Sequence, residues 1–77
     1  PGMVSYGIDE TMKNLKLGAA DTLLISEELD DKKIEEFEKE ASQVGTNVRI
    51  ISTETSEGVQ LRDIGKVAAI LRYEISG

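Results

Sequence analysis

The chain has 77 residues, 39% of them hydrophobic and 31% charged, with a formal net charge of −6 and neither cysteine nor histidine. That length gives one domain with a modest core, burying about 60% of the surface its unfolded chain exposes. The composition excludes disulfides, cysteine or histidine zinc sites and histidine acid–base chemistry. It leaves only carboxylate sites for hard cations, and no EF-hand spacing is present.

The first predicted element is a helix over "IDETMKNLKL", preceded by Gly7 and closed by Gly18. Ile8, Met12 and Leu15 fall at i, i+4 and i+7, on one helical face. Asp9 and Glu10 in the first turn and Lys13 and Lys16 towards the end complement the helix dipole. "ADTLLIS" follows, and its contiguous Leu23, Leu24 and Ile25 indicate a strand buried on both faces. A second helix is predicted over Asp31 to Val44, with Asp30 as N-cap, Gly45 as terminator and an apolar face of Ile34, Phe37, Ala41 and Val44. Glu35 and Lys39 stand at i, i+4 in the favourable order. "NVRIIS" reads as a second strand. "SEGVQLRDIG" reads as a short helix capped by Ser56, and "KVAAILRYEI" as a third strand. The order α-β-α-β-α-β predicts an α/β fold, a three-layer α/β/α sandwich on a largely parallel sheet.

No apolar run approaches the roughly 20 residues of a membrane helix, and no basic, apolar leader opens the chain. A cytoplasmic location is therefore expected. The acidic balance opposes nucleic acid phosphates, so direct nucleic acid binding is not expected. The stretch from Glu27 to Glu40 carries eight acids against three lysines. It reads as a solvated helix face or as a contact for a basic partner. No Walker A loop, no GxGxxG and no nucleophile elbow occurs, and the sequence leaves a Ser-Lys dyad open without pointing to one. The loop "STETSEG" lies after a strand and opens a helix, where α/β folds take anions, but Glu54 and Glu57 favour a capped turn. No catalytic residue, metal or cofactor is expected. Arg72 and Tyr73 end the last apolar run, and both are residue types enriched at interface hot spots.

Two long stretches carry a family resemblance. "YGIDETMKNLKLGAADTLLISEEL" resembles the start, and "VRIISTETSEGVQLRDIGKVAAILRY" the end, of the C-terminal third domain of archaeal and eukaryotic class-1 peptide chain release factors. Pelota, the ribosome-rescue paralogue, has a related domain. The family often carries a glycine pair where this chain has Gly65-Lys66. Many release factors also insert a minidomain after the first strand. Here Leu29 runs almost directly into the next helix, which resembles pelota or a release factor that has lost the insert, while "GMVSYG" and "LRYEI" lean towards a release factor, with a pelota-type rescue factor as the alternative. The family's domain begins with a further helix, so the resemblance implies a C-terminal domain fragment over residues 1–77.

The resemblance further implies an adaptor and not an enzyme, because peptidyl-tRNA hydrolysis in the family depends on a Gly-Gly-Gln motif in another domain. It implies docking of a translational GTPase and contact with the ABC-type ribosome recycling ATPase, with the ribosome reached through the full-length protein. The residues that inherit the partner surface are Ile70, Leu71, Arg72 and Tyr73, with Ile8, Glu10 and Thr11 from the first helix. The fold implied is similar to that of kink-turn-binding ribosomal proteins, which leaves RNA binding as an alternative.

Overall fold

The computed structural model of the chain describes residues 4–72. Along it run β1 (Val4–Tyr6), α1 (Ile8–Lys16), β2 (Ala20–Ser26), α2 (Asp31–Val44), β3 (Asn47–Ile51), α3 (Ser56–Asp63) and β4 (Val67–Leu71). The two long helices form where the apolar period places them. α2 ends at Gly45, whose φ of 71° is the left-handed conformation that glycine adopts without cost. The N-cap of α3 is Thr55 and not Ser56: its hydroxyl accepts the Gly58 N–H at 3.0 Å. Gly58 has no alternative there, since a Cβ would collide with the Ser52 carbonyl.

The sheet order is β1-β4-β2-β3. Two expectations are corrected. A strand precedes the first helix, so the order is β-α-β-α-β-α-β. Its three residues, Val-Ser-Tyr, are too few to display a period of two. The sheet is also mixed and not largely parallel: β2 and β3 are parallel, while β4 runs antiparallel to both β1 and β2. The reason lies in where α3 delivers the chain: it returns it to the end of the sheet that it left. There the Lys66 carbonyl accepts the Ser26 N–H at 2.8 Å, beside the Glu27 N–H bonded to the Ile51 carbonyl at 3.0 Å. A strand that enters from this end must run back along its neighbour. β4 is Val67–Leu71, with Arg72 outside it; residues 73–75 of the predicted strand lie outside the described residues.

The three-layer sandwich is present. α1 and α2 cover one face, where Leu15, Phe37 and Ala41 pack on Leu23, Ile25, Val67, Ala69 and Leu71. Alternation turns Leu24, Ala68 and Ile70 to the opposite face, which meets α3 through Leu61. On α2 the ion pair that forms is Lys33–Glu36, at 3.7 Å. It lies at the surface and adds little.

The turn into β4 holds two unusual residues. Gly65 has φ 123°, and a Cβ there would lie 2.8 Å from the Gly7 Cα. Lys66, which carries a Cβ, has φ 71°. Left-handed backbone costs an L-residue about 1–2 kcal/mol, partly offset against the extra unfolded-state freedom of glycine. Lys66→Gly is expected to stabilise the fold by about 0.5 kcal/mol, and Gly65→Ala to destabilise it by about 2 kcal/mol or more, both read from urea unfolding.

Candidate functional site

The residues that the sequence assigned to a partner surface separate into two groups. Ile8, Glu10 and Thr11 belong to α1, which starts where the Gly7 N–H donates to the Val67 carbonyl at 3.0 Å. Arg72 lies at the other end of β4, where its own N–H donates to the Ala19 carbonyl at 2.7 Å. The five residues of β4 put roughly 15 Å between these ends. Tyr73 lies outside the described residues.

Their accessibility divides them again. Ile70 is 41% exposed and Leu71 is buried, as adjacent residues on opposite faces of one strand must be when only one face is covered. Thr11 is wholly buried under α1, and its hydroxyl has no hydrogen-bond partner among the described residues. Ile8 is half-buried against the core, and Glu10 is exposed. Ile70, Arg72 and Glu10 can therefore touch a partner directly. Leu71 and Thr11 are out of reach of a partner, and Ile8 is partly so.

Arg72 is exposed, yet its guanidinium is already engaged. Its Nε donates to the Ala20 carbonyl at 3.1 Å and its Nη2 to the Gly45 carbonyl at 3.4 Å. Ala20 stands where the β2–β4 register shifts, and its carbonyl also accepts the Thr46 hydroxyl at 2.9 Å. α2 has no basic residue in its last turn. Arg72 supplies a cation there from another element, where the helix dipole favours one.

Ile70 opens onto a surface the sequence did not single out. Between the uncovered sheet face and α3 lies a cleft of about 700 Å³, lined by Leu24, Leu61, Ala68 and Ile70, with Val4 and Tyr6 at one margin. Val4, Tyr6, Ile50, Ile64 and Ile70 line it and are all between 37% and 54% exposed. A contiguous apolar patch of this kind marks a contact surface. The signal for it was the alternation within β1 and β4, which needed the sheet order to be read.

The loop "STETSEG" is a capped turn. Glu27 reaches across from the end of β2 to accept the Thr53 N–H and the Thr53 hydroxyl at 3.1 Å. The Thr53 backbone bond, with the Ser52 and Thr53 hydroxyls, holds the Glu27 carboxyl below its usual pKa of 4.5. The carboxylate takes up the donors an anion would use. Among the described residues no three metal-ligating side chains cluster, and no helix is long and apolar enough to cross a membrane.

Comparison with known proteins supplies the context. Residues 1–75 match the family model described as eRF1 domain 3. A protein pelota homolog of Methanoculleus marisnigri is 43% identical over 76 residues, covering 96% of this chain and 22% of that protein. Peptide chain release factor subunit 1 of Methanobrevibacter smithii is 33% identical over 119 residues, covering 96% of this chain and 29% of that protein. This chain thus spans about a fifth to a third of the length of such relatives. Among solved structures, a ribosome-bound archaeal Pelota with ABCE1 superposes with a TM-score of 0.83 at 32% identity, over 97% of this chain and 22% of that one. Dom34 of S. cerevisiae, described as a translation termination-like factor interacting with Hbs1, superposes with a TM-score of 0.83 at 26% identity, over 96% of this chain and 23% of that one.

The Glu27 clamp has a definite pH signature. A carboxyl whose pKa is lowered by folding stabilises the folded state above its ordinary value and loses that contribution as pH falls through the folded one. Glu27→Gln is expected to melt below the parent near pH 7, with the gap closing near pH 3, as followed by thermal unfolding across that range.

Proposed function

We propose a function from one premise: the chain belongs to the eRF1 domain 3 family. Within it, the chain is the partner-docking C-terminal domain of a translation termination or ribosome-rescue factor that works in the cytoplasm. It carries no chemistry of its own. It docks a translational GTPase and contacts the ABC-type ribosome recycling ATPase, and it reaches the ribosome through the rest of the protein. The observation that carries this reading is the apolar cleft with Ile70 on its floor. An adaptor needs such a contact surface, and a hydrophobic core has no use for leaving it open. Partners named with relatives, ABCE1 beside Pelota and Hbs1 beside Dom34, support the same reading.

Docking is centred on Ile70 and the end of β4. Arg72 has a double part: it fixes the α2 terminus and the β2 bulge, and it presents the remainder of its guanidinium to the partner. Leu71 and Thr11 hold the strand and α1 in place from beneath. The acidic face of α2 gives the docking a dependence on salt if the partner is basic.

The release-factor and pelota branches both fit this role. The link between β2 and α2 favours pelota, because Glu27 to Asp30 is a tight turn with no room for a minidomain. The alignments agree: the pelota homolog matches over 76 residues, whereas the release factor needs 119 to span the same chain.

Calorimetric titration of the domain with the host's translational GTPases tests the proposal. Saturable binding is expected, weakened about tenfold or more by Ile70→Glu. Arg72→Ala is expected to weaken binding as well and to lower stability by about 1 kcal/mol through its lost carbonyl bonds. Unfolding curves measured in parallel separate the two effects. Unchanged affinity in folded Ile70→Glu and Arg72→Ala variants would remove this surface from the interface.

A further inference from the structure

Strand β1 is bonded to β4 on one side and, among the described residues, has no strand on the other. The Gly7 N–H points to β4, since it donates to the Val67 carbonyl. Antiparallel pairing alternates, so the backbone groups of Ser5 also point to β4 and those of Val4 and Tyr6 point outward. The pairing of Ser5 with Ala69 places the Ser5 side chain on the helix-covered face. It is only 8% exposed there, and its hydroxyl has no hydrogen-bond partner among the described residues. An unpaired buried hydroxyl costs about 1–3 kcal/mol. Ser5 lines a groove of about 390 Å³ between the strand edge and α1, whose helical wall is Glu10, Lys13, Asn14 and Leu17. Leu17 is 61% exposed, the highest of the large apolar residues among those described.

We propose that this edge pairs with the same edge of a second copy of the chain, across a two-fold axis at Ser5. Antiparallel self-pairing puts Val4 opposite Tyr6 of the second copy and Tyr6 opposite Val4, closing about four backbone hydrogen bonds. Ser5 then faces Ser5 of the second copy in a non-hydrogen-bonded pair, with Cβ atoms about 4.5–5.5 Å apart, close enough for the two orphaned hydroxyls to bond each other. The helices fit as well. α1 packs over both β1 and β4, so its axis sits about half a strand spacing inside β1. Two copies then place their α1 axes roughly 9–10 Å apart, the normal distance of packed helices. The helices run antiparallel, Leu17 enters the groove of the other copy, and Glu10 turns towards Lys13 across the axis.

Charge selects this edge over the opposite one. The chain's net charge of −6 opposes association. The β3 edge is flanked by α2, with five acids and three lysines, whereas α1 carries two of each. Repulsion between copies is least where α1 meets α1.

Sedimentation equilibrium of the 77-residue chain from about 10 μM to about 1 mM tests the proposal. The interface is small, so a dimer with Kd on the order of 100 μM is expected. With it comes protection of the Tyr6 amide from hydrogen exchange that grows with concentration. Val4→Lys places a charge at the paired edge and is expected to raise Kd at least about tenfold. Leu17→Glu does the same from the helix side without touching the core. Ile50→Lys, on the β3 edge, is expected to leave Kd within about twofold. A folded chain that stays monomeric to about 1 mM overturns the proposal. So does a dimer weakened by Ile50→Lys and indifferent to Val4→Lys and Leu17→Glu.

Discussion

The hydrogen bond from the Ser26 N–H to the Lys66 carbonyl, at 2.8 Å, decides the architecture. It sets the entry point of β4 at the end of the sheet where β1, β2 and β3 finish. From there β4 runs antiparallel between β1 and β2, and its apolar residues become the centre of the sheet. Val67, Ala69 and Leu71 join the core under α1 and α2, while Ala68 and Ile70 face α3 and the open cleft. The glycine contact beside the turn follows from the same placement: the α3–β4 turn and the β1–α1 turn occupy one small volume, and a Cβ on Gly65 would run into the Gly7 backbone.

α1 and α2 were readable in the sequence because their apolar residues recur at helical spacing over two or more turns. β2 and β3 were readable as short apolar runs between turn residues. β1 was not, because three residues carry no period and its pairing partner lies more than sixty residues away. The direction of β4 was hidden for a different reason. It depends on the end of the sheet to which α3 delivers the chain, which no local pattern encodes. The same limit applies to the site. Residue type pointed to Arg72, but the carbonyls it binds come from Ala20 and Gly45, brought together only by the fold. Thr11 looked available on a helix and is sealed beneath it. Ile70 and Leu71 look alike in sequence, and alternation on a half-covered sheet makes one a surface residue and the other a core residue.

These placements give β4 two kinds of work. One face stabilises, and the other is left partly bare beside α3. Arg72 follows two residues after Ile70, and its side chain supplies the missing cation at the α2 terminus. Docking as proposed at this end of the strand would therefore be coupled to the packing of α2 through one guanidinium.

The sheet order also fixes the sequence of events by which the domain comes together. β2, α2 and β3 form a parallel pair from neighbouring segments, and α1 lies close by in the chain. β1 has no partner until β4 arrives, because its only bonded neighbour among the described residues is the strand made last. A vectorially synthesised chain thus holds a three-strand set with a vacant slot at its middle, and the slot is filled from the C-terminal side. Contacts of such long sequence separation slow folding and keep apolar strand edges exposed while it proceeds. The domain becomes cooperative only when Val67 to Leu71 is free to insert, so a truncation within this run would remove the centre of the sheet rather than its margin.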